Sequence, residues 1–259
     1  MLKSNHKGII LAGGSGTRLF PVTRVVSKQL LPIYDKPMIY YPVSTLINSG
    51  VRDIMIISTP LDQTLFQRLL GDGSQWGVNF EYEIQEKPEG IAQSLLIAEP
   101  WLNGAPPVLI LGDNLFFGPE IYSKVNNALV SNNGATLFGY KVDDPERFGV
   151  VEFDNKNQAI SIEEKPEIPK SNWAVTGLYI FNEKAVSYAK GLKKSDRGEY
   201  EITDINKLYL NAGELKVVLL ESEFSWLDTG THDSLLEASN FVKDTELKSG
   251  IKIAELKKV

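Results

Sequence analysis

The sequence predicts an α/β fold, a mostly parallel sheet flanked by helices. Two observations predict it. Short apolar runs alternate with stretches of helical periodicity through the first half of the chain. That alternation implies strands joined by helical crossovers and a sheet covered on both faces. In addition, no Pro-, Gly- or Ser-rich linker divides the 259 residues. One continuous domain over residues 1–259 is therefore expected.

Lys7–Leu11, Asp53–Ser58 and Pro107–Leu111 read as buried strands. Pro37–Ser49 reads as a helix disturbed at Pro42 and stopped by Gly50. A further helix is expected after Thr59, with Thr59 as cap, Pro60 in its first position and Asp62 in its first turn. Leu61, Leu65 and Leu69 would form its apolar face. The second half changes character. Gly134–Tyr140, Val150–Asp154, Ala159–Glu164 and Ala174–Phe181 are closely spaced strand candidates. Helical patterns return at Thr203–Ala212, where Ile205, Leu208 and Ala212 share a face, and at Asp233–Val242. Two halves of one domain are expected, residues 1–133 and 134–245, followed by a short tail, 246–259. The Lys-rich stretch Lys248–Val259 reads as solvated.

Hydrophobic residues make up 42% and charged residues 23%, the balance of an ordinary folded protein. The net charge of −6 argues against non-specific nucleic-acid binding. It leaves room for a local basic pocket that takes a small phosphate ligand. Without cysteine there is no thiol nucleophile, disulfide or Cys-ligated metal. His6 and His232 are the only histidines, too few for a multi-His metal centre. His6, near a chain end, is expected in solvent. His232 is expected to have a structural role at a helix start, with Asp233 stabilising the N-terminus. No apolar run is long enough to span a bilayer. A soluble cytoplasmic protein is expected.

Ligands of such sheets bind beyond the C-terminal strand ends, which points to the loops after Leu11 and Leu111. The first loop reads Leu11-Ala12-Gly13-Gly14-Ser15-Gly16-Thr17-Arg18-Leu19. Glycines let backbone amides approach a polyphosphate, and consecutive N–H groups form an anion nest. Arg18 adds a planar cation able to grip two oxygens. Taken alone, the loop is equally compatible with a flexible turn. It matches neither a Walker A loop nor the spacing of a dinucleotide-binding loop. Lys28 lies near enough in sequence to return to the phosphates. Leu111-Gly112-Asp113-Asn114 and Trp226-Leu227-Asp228-Thr229-Gly230-Thr231 each carry a carboxylate. Two carboxylates plus phosphate oxygens would suit Mg²⁺, while singly either aspartate could be a turn former. Glu163-Glu164-Lys165-Pro166 closes another strand, and Lys165 could hold a phosphate. The near copy Glu86-Lys87-Pro88 shows that this pattern is weak by itself.

As a set, these motifs resemble the sugar-1-phosphate nucleotidyltransferase family, most closely its bacterial glucose-1-phosphate thymidylyltransferase branch. The likeness rests on Gly13–Leu19 with Pro21 and Lys28, on Ser27–Pro32, Tyr34–Pro42 and Leu70–Ser74. It continues through Asp144–Arg147, Ala174–Tyr179 and Trp226–Asp233, and spans Lys7 to about Ile253. The resemblance implies a Rossmann-like, glycosyltransferase-A-like fold and a Mg²⁺-dependent reaction: dTTP and α-D-glucose 1-phosphate give dTDP-glucose and pyrophosphate. It implies that Leu11, Ala12, Gly13, Gly14, Ser15, Gly16, Thr17, Arg18 and Gln29 hold the nucleotide. Gln85 and Gly90 would read the pyrimidine edge. Lys28 would contact phosphate near the reacting centre, with Asp113 and Asp228 on the metal. Lys165 would bind the attacking sugar phosphate with Arg197 nearby, and Gly149, Glu164, Val175 and Tyr179 would line the hexose pocket. Small-molecule substrates, a homo-oligomer (tetramer or dimer) and a place at the start of dTDP-rhamnose or other dTDP-deoxysugar synthesis are implied as well.

Two departures from the family pattern stand out. Phe148 occupies a position where relatives usually carry tyrosine. The chain also ends at Val259, short of the family's further helical segments, so end-product inhibition is expected to be weak or altered. Alternatives are a UTP-dependent or other sugar-1-phosphate specificity, a non-catalytic nucleotide-sugar-binding subunit, and an unrelated dinucleotide oxidoreductase. The silent subunit should lack one of Arg18, Lys28, Asp113, Lys165 or Asp228, and all five are present.

Overall fold

The computed structural model describes residues 5–256. Strand β1 (Lys7–Ala12) leads into the glycine-rich loop and a series of short turns that end in a small hairpin, β2 (Pro32–Ile33) and β3 (Lys36–Pro37). Helix α1 (Tyr40–Asn48) follows. Pro42 does not disturb it, because it sits in the first turn, where a backbone N–H has no intrahelical acceptor to lose. Gly50, with φ 96°, ends the segment as expected. Strand β4 (Asp53–Ser58), helix α2 (Gln63–Leu70), strand β5 (Asn79–Ile84), helix α3 (Gln93–Leu102) and strand β6 (Pro107–Leu111) continue the alternation. Strand β7 (Asn114–Phe117) and helix α4 (Ile121–Ser131) close the first half.

The second half comprises β8 (Ala135–Lys141), β9 (Gly149–Phe153), β10 (Ala159–Glu164), β11 (Trp173–Phe181), α5 (Lys184–Gly191), α6 (Ile202–Asn211), β12 (Leu215–Leu220), β13 (Ser225–Asp228) and α7 (His232–Ser249). Among the described residues one nine-stranded sheet runs in the order β10-β9-β11-β6-β1-β4-β5, with β8 beside β11 and β12 beside β8. Strands β6, β1, β4 and β5 are mutually parallel. Strand β11 joins them antiparallel, against β6. The two expected halves therefore share one sheet.

Alternate residues of the central strands feed opposite faces, because side chains alternate across a sheet. Ile10, Ile54, Ile56 and Ile110 pack with α1, α2 and α4. Ile9, Met55, Ile57 and Leu109 pack with α3, α5 and α6. A third cluster joins Ile33, Met38 and Tyr41 to Ala238 and Val242 of α7 and to Ile253 and Ala254.

Four expectations are corrected. Leu61 and Leu65 are exposed, and α2 buries Phe66 and Leu70 instead. The helix starts three residues later than Pro60, so its inward face is rotated. On α6 the buried stripe is Ile202, Ile205 and Tyr209 rather than Leu208 and Ala212. His6 is 8% exposed, and burial, partly offset by a hydrogen bond with the Phe181 backbone, lowers its pKa to about 4. Residues 250–256 are not a free tail. Lys252 Nζ pairs with Asp35 (2.8 Å) and with Glu246 of α7, and the Ile253 amide donates to Glu246 (2.9 Å). Residues 257–259 of the expected tail lie outside the described residues. At the start of α7, Thr231 caps the helix and forms a capping box with Ser234, while Asp233 lies in the first turn.

Candidate active site

The loop after β1 turns back on itself. Gly16 adopts φ 60°, its carbonyl accepts from Thr23 Oγ1 (2.7 Å), and a Cβ there would lie 3.4 Å from that of Lys28. Gly13 is constrained differently: a Cβ would lie 2.2 Å from Gln85 Oε1. Only glycine admits that approach. Gln85 is buried, and its Nε2 donates to Gln93 Oε1 (2.6 Å) and to the Gly90 carbonyl (3.4 Å). The expected pyrimidine-reading residues Gln85 and Gly90 thus lie together against the glycine loop. Gln29 is buried elsewhere along the loop, accepting from Ser27 Oγ (2.7 Å), with its Cγ 3.0 Å from where a Cβ on Gly112 would lie.

The two carboxylates are brought together by strand pairing. Asp113 precedes β7, and Asp228 ends β13 directly opposite Asn114 in the β7–β13 register. Thr229 Oγ1 donates to the Asp113 carbonyl (3.0 Å), closing the corner. Lys28, almost fully buried, forms an ion pair with Asp113 Oδ2. Burial opposes ionisation of Asp113, but the Lys28 charge and hydrogen bonds from Lys28 and Asn114 outweigh it and hold the carboxyl below its usual range. Asp228 shifts the other way. Burial and then the Asp113 charge push it up, against Lys28, Arg18 and Arg147. Arg147 Nη2 lies 3.6 Å from Asp228 Oδ2. Arg18 approaches the same corner over Gly230, where a Cβ would lie 3.0 Å from Arg18 Nη2 and 3.1 Å from Asp228 Oδ2.

These groups border a cavity of about 520 Å³. Arg18, Asp113, Gly149, Glu164, Lys165, Val175, Tyr179 and Asp228, all singled out from the sequence, line it. Lys28 reaches it through Asp113. Ile91, next to Gly90, also lines it. Lys165 follows β10 with φ 44°, its amide donating to the Phe148 carbonyl (2.9 Å). Glu164 accepts a short hydrogen bond from Thr203 Oγ1 on α6. Burial pushes the Tyr179 phenol far up, so it remains protonated. Arg197 is not on the cavity wall. It pairs with Glu201 (2.8 Å) and reaches Glu164 at 3.5 Å.

Sequence reasoning gave no role to Asn114, Arg147, Gly177, Thr203 or Trp226. Asn114, next to Asp113, and Trp226, two residues before Asp228, stand inside the carboxylate motifs, and Arg147 and Gly177 stand inside Asp144–Arg147 and Ala174–Tyr179, so motif membership is their signal. Thr203 had none, because its bond to Glu164 exists only once α6 packs on β10. Phe148 packs edge-on against Trp226 (5.1 Å) and under Arg147 (5.2 Å), a packing in which the ring suffices.

Leu11–Thr17 are not among the residues that line this cleft, and the glycine loop reaches it through Arg18. A cleft walled by cations and carboxylates beside such a loop is the architecture of a nucleotide-handling transferase. The chain belongs to the nucleotidyl transferase family, which it matches over residues 7–245. Its relatives include a glucose-1-phosphate thymidylyltransferase of Xanthomonas campestris pv. campestris (strain B100), 56% identical over 250 residues, covering 96% of this chain and 85% of the relative. The enzyme of the same name from Neisseria gonorrhoeae is 55% identical over 253 residues, 98% of this chain and 88% of the relative. Among solved structures, a candidate glucose-1-phosphate thymidylyltransferase from Bacillus anthracis, in complex with sucrose, superposes with a TM-score of 0.85 at 45% identity, over 92% of this chain and 96% of that one. A UDP-glucose pyrophosphorylase complexed with UDP-glucose shares the fold, with a TM-score of 0.80 at 23% identity, over 95% of this chain and 100% of that one.

Proposed function

We propose that the protein is a glucose-1-phosphate thymidylyltransferase, joining dTMP from dTTP to α-D-glucose 1-phosphate and releasing pyrophosphate. The observation that carries this reading is the meeting of Asp113 and Asp228 across the β7–β13 pair, with Arg18, Lys28 and Lys165 around the same cavity. The obstacle to the reaction is bringing two polyanions together, and positioned cations lower it. In this reading the loop amides of Gly13–Thr17 and the Arg18 guanidinium hold the triphosphate, and Arg18 neutralises the departing pyrophosphate. Lys28 faces the α-phosphate. Lys165 holds the sugar phosphate so that its oxygen attacks the α-phosphorus in line. Gln85 offers donor and acceptor to the pyrimidine edge. Glu164, oriented by Thr203, accepts sugar hydroxyls, and the protonated Tyr179 stands beside it as a donor.

The residues fit a divalent cation. Asp113 and Asp228 are neighbouring oxygen donors, and the like charge that raises Asp228 is what such an ion relieves. Among the described residues no cluster of three or more His, Cys, Asp or Glu could hold a metal, so the remaining ligands would be phosphate or water oxygens, the habit of Mg²⁺. Bound there, the ion would supply charge neutralisation at the phosphoryl group. Residues 1–133 would then supply most of the nucleotide subsite and 134–245 most of the sugar-phosphate subsite. Among the described residues no helix is long and apolar enough to cross a membrane, which suits work in the cytoplasm. The chain would act as a homo-oligomer, read out by sedimentation.

The test is pyrophosphate release with dTTP, glucose 1-phosphate and Mg²⁺, beside a panel of UTP and other sugar phosphates. Asp113→Ala and Lys165→Ala are each expected to lose about 10²–10³ in rate while keeping the native circular dichroism spectrum. Full activity in either variant, or no release by the native protein, refutes the assignment.

A further inference from the structure

Asn114 lies in the wall of the cleft, 2% exposed, and its described side-chain hydrogen bonds run to three other residues of that wall. Its Nδ2 donates to Asp113 Oδ1 (2.9 Å). Its Oδ1 accepts from the Gly177 amide of β11 (3.1 Å) and from Trp226 Nε1 of β13 (2.6 Å). The orientation of the amide is dictated by chemistry. Both neighbours on the oxygen side can only donate, and the ionised carboxylate on the nitrogen side can only accept. A flipped amide would break all three bonds.

The approach is built into the strand. The β11–β8 register shifts between Val175 and Tyr179, and Gly177 lies inside that irregularity. A Cβ on Gly177 would sit 2.7 Å from Asn114 Oδ1, so a side chain there would displace the amide. Asp113 is consequently held from both oxygens, by Lys28 on Oδ2 and by Asn114 on Oδ1. The anchor of the second hold is shared with Trp226, a wall of the cavity two residues before Asp228.

We propose that Asn114 is a positioning residue for the transferase reaction, fixing the plane of the Asp113 carboxylate by tying it through one rigid amide to Gly177 and Trp226. This rests on the reading of Asp113 as a reaction carboxylate. Neighbours of that kind commonly contribute 10- to 100-fold when they orient a metal-binding group.

The deciding variant is Asn114→Asp. It keeps an acceptor for Gly177 and Trp226 and removes the donor to Asp113. Pyrophosphate release is measured with dTTP, glucose 1-phosphate and varied Mg²⁺. The expected result is a roughly 10- to 100-fold lower kcat, a higher Mg²⁺ concentration at half-maximal rate, and KM for glucose 1-phosphate within about threefold. A second readout needs no turnover. In the ¹⁵N–¹H spectrum of the unliganded protein, the Trp226 indole resonance, assigned through Trp226→Phe, stays in place in Asn114→Asp and moves in Asn114→Leu. Wild-type kcat and Mg²⁺ dependence in Asn114→Asp overturn the proposal, as does an indole resonance unmoved in Asn114→Leu. If Asn114→Asp does not fold, Asn114→Ser carries the same kinetic test. If neither folds, the residue is a structural strut and the positioning role fails. An inactive native protein is a different outcome, since it refutes the proposed function itself.

Discussion

At the scale of single residues, the charges of the cleft arise from local desolvation and neighbour charges, and the same physics acts at His6. Its folded pKa, about 4, lies below the model-peptide value of 6.5 because burial penalises the imidazolium. The unfolded chain therefore takes up a proton at His6 below about pH 6.5 while the folded protein does not. Stability contributed by this group is present above that pH and is lost as pH falls towards 4. The loss is on the order of 3 kcal/mol at about 1.4 kcal/mol per unit. Denaturant melts of the native protein and of His6→Gln between pH 7 and 4 should show the slope flattened in the variant. The sequence placed His6 in solvent because it stood near a terminus. The strand starting at Lys7 was legible from its apolar run, but nothing in the sequence reveals that the fold also covers the residue before it. By contrast the convergence of Arg18, Asp113, Lys165 and Asp228 on one cavity was legible in outline, since each belongs to a short motif that follows or ends a strand.

At the scale of elements, β4, β6 and β10 coincide with the strands read from their apolar runs. Helices α3, α4 and α5 went unread. Helix α3, QSLLIAEPWL, has apolar residues on most sides and a proline inside, so no polar face stands out against a buried one. Strands β7 and β13 are four residues each, too short for a period-2 signal, although their pairing builds the carboxylate corner. Helix α7 is the element whose ends are best defined. Its first turn is closed by reciprocal bonds between Thr231 and Ser234, and Gly250, with φ 68°, ends it. Thr231→Ala should cost about 1 kcal/mol, read as a lower urea midpoint at unchanged m. A midpoint equal to that of the native protein would show that the cap contributes nothing.

At the scale of the whole molecule, a chain of net charge −6 concentrates Arg18, Lys28, Arg147 and Lys165 around one opening. A polyanionic substrate is drawn to that opening against the overall sign of the protein, and salt weakens the attraction over a screening length of about 10 Å at 0.1 M. Raising ionic strength from about 0.05 to 0.5 M should therefore raise KM for the nucleotide severalfold with little change in kcat. A salt-independent KM would place substrate capture elsewhere. The left-handed backbone at Lys165 has a cost of its own. An ammonium group is delivered to the opening by a residue type that resists φ 44°, where glycine would sit at ease. Strain of this kind amounts to about 1 kcal/mol or more. Lys165→Gly should accordingly melt about 2–4 °C higher than the native protein and turn over almost nothing. Heat resistance and turnover would then compete for a single amino acid, and a screen for thermostable variants would favour the inert one.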